Sequence, residues 1–160
     1  MKNKEFTTKI SISAIEECNN ETKNLIKKAQ EATQRAYAPY SRYQVGAAVL
    51  LSNGEIITGN NQENASYPAG ICAERTALSY ANATYPGIPI IAIAIAAYHN
   101  GSFTQDVCSP CGICRQYLIE VENRYNNAIK VIMCSGNEVY EVTSAKALLP
   151  LSFDKKNLEG

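Results

Sequence analysis

The sequence carries no excess charge of either sign: 15 Lys and Arg balance 15 Asp and Glu over 160 residues, for a formal net charge of zero. Such a chain lacks the long-range attraction for phosphate on which nucleic-acid binding ordinarily depends, and no Lys/Arg run marks a local basic groove. Long apolar runs are also absent. The most apolar stretch, Ile88 to Ala97, is far too short to span a bilayer, and the N-terminus has no signal-type apolar segment, so a cytoplasmic protein with no membrane partner is expected. Histidine is nearly missing, and the one present, His99, reads as a loop residue outside any site. No internal repeat, low-complexity tract or long linker interrupts the chain. With 46% hydrophobic residues, it can bury about two thirds of its unfolded surface around one core. One domain over 1–160 is therefore expected, with 1–20 an N-terminal extension.

Six cysteines are present. In a reducing compartment they do not read as a disulfide framework, which turns attention to metal binding or catalysis for those at close spacing. Cys18 and Cys134 look like ordinary thiols.

Helical spacing of Leu25, Ala29, Ala32 and Ala36 predicts a first helix over 21–36, with Asn19 or Asn20 as its cap. Val45 to Leu51 and Ile56 to Thr58 flank Asn53-Gly54 and read as an antiparallel hairpin. Further helices are expected over 72–83 and 111–123, with a short one over 144–149. The β-branched and Ala run 88–97 suits a strand covered on both faces, and 129–133 and 139–142 read as two more strands. Alternation at Ile10, Ile12 and Ala14 suggests a short edge strand in the extension. The expected fold is an α/β three-layer sandwich, a mixed five-stranded sheet with helices on both faces.

Two segments each open a predicted helix: Cys72-Ala73-Glu74-Arg75-Thr76 and Pro110-Cys111-Gly112-Ile113-Cys114-Arg115-Gln116. Pro110 suits a first helical turn because it has no amide hydrogen to satisfy. Cys111 and Cys114 lie within one turn, so both sulfurs can reach one ion, and a helix N-terminus favours the thiolate that zinc requires. C-x-x-C alone is equally a redox motif or half a structural zinc knuckle. Cys72, Cys111 and Cys114 as a set of three would leave a coordination position for water, whereas a closed structural site needs four ligands. Cys108 is an alternative fourth ligand, and 108, 111 and 114 echo an iron-sulfur spacing that no nearby cysteine completes. Glu74, an ordinary acid in a first turn if taken alone, sits two residues after a ligand, where zinc nucleobase deaminases carry their proton-transferring Glu ahead of P-C-x-x-C.

These segments, with Ala38-Pro39-Tyr40-Ser41, Val45-Gly46-Ala47-Ala48, Asn61 to Tyr67 and Leu148-Leu149-Pro150, resemble the cytidine deaminase family over about Tyr37 to Phe153, in its compact homotetrameric branch with Cys as first zinc ligand. The resemblance implies one zinc ion per chain and hydrolysis of cytidine or 2′-deoxycytidine to uridine or 2′-deoxyuridine and ammonia, in pyrimidine salvage. Glu74 would take a proton from the attacking water and return protons to N3 and the departing amine. By position, Asn61 and Glu63 would bind the ribose, Tyr43 would pack on the pyrimidine in place of the usual Phe, and Tyr67 and Phe153 would serve sites shared between subunits. Arg75 would donate to a ligand sulfur, offsetting the net negative charge that three thiolates place on a divalent zinc.

Three rival readings remain at this stage. A deaminase of modified cytosine nucleosides is disfavoured by Asn61, Glu63 and Tyr67. An editing deaminase acting on single strands would need basic and aromatic contacts along the strand. A noncatalytic zinc module would have no requirement for Glu74.

Overall fold

The strand Ile90–His99 organises the fold, and the reason lies in its alternating side chains. Ile93 and Ile95 point to one face of the sheet, where they pack with Ala73, Ala77, Leu78, Leu118 and Ile119. Ala92, Ala94 and Ala96 point to the other, against Leu25, Ile26 and Ala29. Bulk on one face and methyl groups on the other make one layer thick and let the helix of the opposite layer sit close.

The computed structural model describes residues 1–159. Its elements are β1 (Ser11–Ala14), α1 (Asn20–Thr33), β2 (Gln44–Leu51), β3 (Ile56–Asn60), α2 (Ala73–Thr84), β4 (Ile90–His99), β5 (Ser102–Phe103), α3 (Gly112–Tyr125), β6 (Lys130–Cys134), β7 (Glu138–Val142) and α4 (Lys156–Glu159). The strand order is β1-β7-β6-β4-β2-β3, with β5 paired to β4. Among the named strands of the described residues, β4 and β6 run parallel and the other pairings are antiparallel. Helix α1 covers one face and α2 and α3 the other, which is the expected layered α/β arrangement. No helix among the described residues is long and apolar enough to cross a membrane.

The sheet has seven strands rather than the expected five. One addition is the edge strand suggested by the alternation at Ile10, Ile12 and Ala14: β1 pairs antiparallel with β7 from Ser11↔Glu141 to Ala14↔Glu138. The N-terminal extension thus caps a sheet edge, and Thr8 Oγ1 also donates to Ala147 O at 2.6 Å. The other is β5, joined to β4 through Asn100 and Gly101, whose φ values of 52° and 87° are those of a two-residue primed turn. His99 is therefore the last residue of a strand and not a loop residue.

Element ends also shift. Helix α1 runs Asn20–Thr33, and Asn19 caps it by accepting from Thr22 N at 2.8 Å. At the first hairpin Gly54 alone takes positive φ (89°), while Asn53 Oδ1 accepts from Glu55 N. The expected helix over 144–149 is a single 3-10 turn, Ala145–Leu148, capped by Ser144.

Two glycines set how closely helices approach. A Cβ on Gly46 would stand 2.7 Å from Thr33 N and closer still to Ala29 O, so β2 lies directly on the α1 backbone. A Cβ on Gly59 would stand 2.7 Å from Ala73 O and closer to Ala77 N, which seats the first turn of α2 on β3. That first turn carries Glu74.

Candidate metal and nucleoside site

The site is assembled at two helix N-termini. Cys72 (φ −74°, ψ 154°) and Cys111 (φ −65°, ψ 167°) each hold the extended N-cap position, one residue ahead of α2 and α3. Each carbonyl accepts the first helical hydrogen bond, from Thr76 N at 3.0 Å and Arg115 N at 2.9 Å. Pro110 accordingly precedes the cap instead of occupying the first turn.

The helices are held in register by side chains that the sequence did not single out. Ser79 Oγ and Tyr117 OH are 3.0 Å apart, and Tyr125 OH donates to Asn82 Oδ1 at 3.1 Å, both between α2 and α3. Arg115 donates to Pro110 O (2.9 Å), Leu148 O (3.0 Å) and Ser109 Oγ (3.5 Å), fixing the segment that enters α3. Buried Glu122 accepts from Ile129 N (2.8 Å), Ala145 N (2.7 Å) and Ser144 Oγ (3.0 Å), joining α3 to the start of β6 and to the last 3-10 turn. In sequence these are a generic helix Tyr, Arg and Glu, and only their distant partners give them a role.

This framework brings Cys72 Sγ to 3.8 Å from Cys111 Sγ, and Cys111 Sγ to 3.5 Å from Cys114 Sγ. All three sulfurs lie within 4.8 Å of one another. Sulfurs bound at about 2.3 Å to a tetrahedral zinc stand about 3.8 Å apart, so the trio is spaced for such an ion. Cys108 is outside it: its partly buried thiol lies beside the Tyr43 hydroxyl, and desolvation pushes it up to about 12.

Electrostatics point the same way. The Cys72 thiol is held down to about 5, first by the Cys114 thiol donating to it and then by the Arg75 guanidinium and Cys111. Cys114 is pushed up because it is that donor and because it is desolvated. Three sulfurs this close cannot all ionise without a cation among them, and a divalent ion removes the conflict. Arg75 Nη2 donates to Gly70 O at 3.3 Å, but its Nε is buried without a hydrogen-bond partner, the one such side-chain atom found among the described residues. A donor left open beside Cys72 suits a thiolate that remains charged because it is a metal ligand.

Glu74, on the first turn of α2, is 4% exposed. Burial raises its carboxyl above the usual carboxylate range, and the neighbouring Cys72 charge pushes the same way. A cavity of about 660 Å³ is lined by Cys72 and Arg75 together with Asn61, Glu63, Tyr67 and Ile113, while Glu74, Cys111 and Cys114 do not line it.

The remaining expected residues divide into those near this cavity and those away from it. Glu63 Oε2 accepts from Tyr40 N (2.9 Å) and Ser41 N (3.3 Å); the Ser41 hydroxyl, followed by those amides, holds its carboxyl below the usual range. Asn61 accepts from Val45 N at 2.8 Å and donates to Tyr43 O at 2.9 Å, continuing the β2–β3 ladder with its side chain. Tyr67 is exposed and meets Tyr40 edge-on at 6.1 Å. Tyr43 does not line the main cavity. It lines a smaller one of about 340 Å³ with His99 and Asp106, and burial together with Cys108 pushes its phenol up to about 12. Phe153 is exposed and away from the cavity in one chain, its carbonyl tied by Gln116 Nε2 at 2.7 Å.

Comparison with known proteins follows the same lines. A family model described as the cytidine and deoxycytidylate deaminase zinc-binding region matches residues 19–129. A cytidine deaminase of Halalkalibacterium halodurans is 46% identical over 99 residues, 61% of this chain and 69% of that one. One of Sporosarcina psychrophila is 36% identical over 139 residues, 86% and 95% of the two chains. Among solved structures, a cytidine deaminase from Burkholderia pseudomallei superposes with a TM-score of 0.69 at 41% identity, covering 82% of this chain and 98% of that one. The cytidine deaminase of Mycobacterium tuberculosis gives 0.67 at 32% identity, covering 85% and 99%. With a matched model over most of its length and a relative aligned almost end to end, the chain belongs to the cytidine and deoxycytidylate deaminase family.

Proposed function

We propose that this chain is a zinc-dependent cytidine deaminase that converts cytidine and 2′-deoxycytidine, with one water, to uridine and 2′-deoxyuridine and ammonia, in pyrimidine salvage in the cytoplasm. The observation that carries this reading is the pairing of three sulfurs at zinc spacing with one buried carboxylate, Glu74, on the same helix turn as Cys72. A structural zinc site has no use for that carboxylate.

Cys72, Cys111 and Cys114 would hold one ion per chain, which when bound would supply Lewis acidity to the attacking water. Arg75 withdraws electron density from Cys72, limiting the charge that three thiolates would otherwise impose. Glu74 accepts the proton of the attacking water as the oxygen bonds to C4 of cytosine. It passes that proton to N3, then takes the remaining proton from the new C4 hydroxyl and delivers it to the departing amine, so that C4=O forms as the C4–N bond breaks and ammonia leaves. A carboxyl raised above its ordinary range is better suited to this alternation, because it must both take and give a proton within one turnover.

Asn61 and Glu63 would receive the ribose. Each already spends part of its hydrogen-bonding capacity on the backbone of 40–45, which fixes them in place while leaving one amide hydrogen and carboxylate lone pairs for hydroxyls. A fixed anion in the cavity wall also disfavours a phosphate there, in keeping with a nucleoside substrate and no nucleic acid. Tyr43 would support the base, and Tyr67 and Phe153 would act across subunits of a homotetramer; their exposure in one chain suits surfaces that another subunit covers. Loss of cytidine's ultraviolet absorbance on incubation with the zinc-loaded protein tests the activity directly. No spectral change at enzyme concentrations comparable to substrate would reject it.

A further inference from the structure

We infer that His99 is a positioning residue for the nucleoside pocket: through its Nδ1 hydrogen bond to Arg42 O it sets the 38–43 turn on which Glu63, Asn61 and Tyr43 depend. The inference rests on the deaminase reading above for what the pocket binds, though not for the hydrogen bond itself.

The turn is a strained connection. Arg42 has φ 56°, a left-handed conformation that a long side chain seldom adopts and that persists only where neighbours over-determine it. Both of its backbone groups are engaged: its N–H donates to Ala38 O at 3.0 Å, and its carbonyl lies 2.9 Å from His99 Nδ1. A carbonyl can only accept, so Nδ1 carries the proton in this contact. The His99 ring also packs against Tyr43, centroids 5.6 Å apart and planes tilted by 45°.

Each neighbour of Arg42 in this turn serves the proposed pocket. Tyr40 N and Ser41 N hold the Glu63 carboxylate, Ser41 Oγ accepts from Tyr43 N at 3.0 Å, and Tyr43 O accepts from Asn61. These ties all run towards the 61–63 segment. His99 ties the turn from the other side, and it does so from the end of β4, which pairs with β2, β5 and β6. The Asn100–Gly101 turn and the His99↔Ser102 pairing keep the end of that strand from fraying. The turn is thus clamped between the Glu63 and Asn61 hydrogen bonds on one side and the paired end of β4 on the other, and removing the β4 side lets Glu63 and Tyr43 drift together.

Three variants separate this role from generic packing. His99→Phe keeps a ring on Tyr43 but has no donor; His99→Gln carries an amide one methylene too far out; His99→Asn places an amide N–H where Nδ1 stood. In the zinc-loaded enzyme, His99→Phe and His99→Gln are expected to raise KM for cytidine about tenfold with kcat within about twofold, while His99→Asn stays near the parent. Amide hydrogen exchange over 38–43 should quicken in the first two and not in the third. An unchanged KM in folded His99→Phe or His99→Gln, an equal rise in His99→Asn, or a kcat loss with zinc release overturns the inference. If the parent protein itself fails to deaminate cytidine, the function reading falls alone, and unchanged exchange over 38–43 in His99→Phe or His99→Gln then overturns this one.

Discussion

Cys72 and Cys111 occupy the same position in two different helices, the extended N-cap, with their sulfurs 3.8 Å apart. The symmetry has a chemical consequence. A cap residue aims its side chain across the open end of its helix, so two caps placed side by side converge on one point, and Cys114, within one turn of Cys111, supplies the third sulfur.

Zinc should therefore follow these three residues and no other cysteine. Replacing Cys72, Cys111 or Cys114 by Ala should abolish the one zinc per chain, and Cys108→Ala should retain it. Metal analysis of the purified variants decides the matter, and zinc loss in a folded Cys108→Ala protein would point to a closed four-sulfur site.

Glu74→Gln should fold and keep its zinc while kcat falls by a factor of about 10² to 10⁴ or more, because an amide cannot carry the proton. Steady-state kinetics with cytidine beside metal content tests this. Substantial residual turnover would remove Glu74 from the mechanism.

Glu63→Ala should raise KM for cytidine about ten- to a hundredfold, through loss of a charge-assisted hydrogen bond to the ribose. The Ser41 hydroxyl and the backbone amides keep this carboxyl ionised below the ordinary carboxylate range. Ribose binding should accordingly survive acidification through that range, and weaken only when pH falls through the lowered value. Free cytosine, cytidine monophosphate and a cytosine-containing single strand should all be poor substrates; a strand that outperforms cytidine would exclude the ribose-anchoring scheme.

Glu122→Leu should destabilise the fold by several kcal/mol, since Ile129 N and Ala145 N would be left without an acceptor and each buried orphan costs about 1–3 kcal/mol. Glu122→Gln retains an acceptor oxygen and should lose less. Denaturant unfolding of both variants measures the difference.

If Tyr67 and Phe153 act across subunits of a homotetramer, as proposed above, light scattering on the zinc-loaded protein should give four chains per particle. A fully active monomer would take both residues out of the site.

The sequence by itself determined whatever depends on near neighbours along the chain. The helical period placed α1, α2 and α3, the β-branched run placed β4, and C-x-x-C put two sulfurs on one helix turn, because a backbone's local geometry reaches only three or four residues. The short edge strand in the extension was visible as an alternation at Ile10, Ile12 and Ala14. Its partner β7, more than a hundred residues away, was not. Asn100-Gly101 carried the same hairpin signal as Asn53-Gly54, but a two-residue strand such as β5 has too few side chains to show a period. Distant pairings were settled by tertiary structure alone: Cys72 against Cys111 across 39 residues, Glu63 beneath the amides of Tyr40 and Ser41, Arg115 against Leu148, and His99 on Arg42. A lone histidine, an ordinary helix arginine and a loop glutamate bear no local mark of their partners. Their roles arise from hydrogen bonds that form only once the sheet has brought remote segments within about 3 Å of one another.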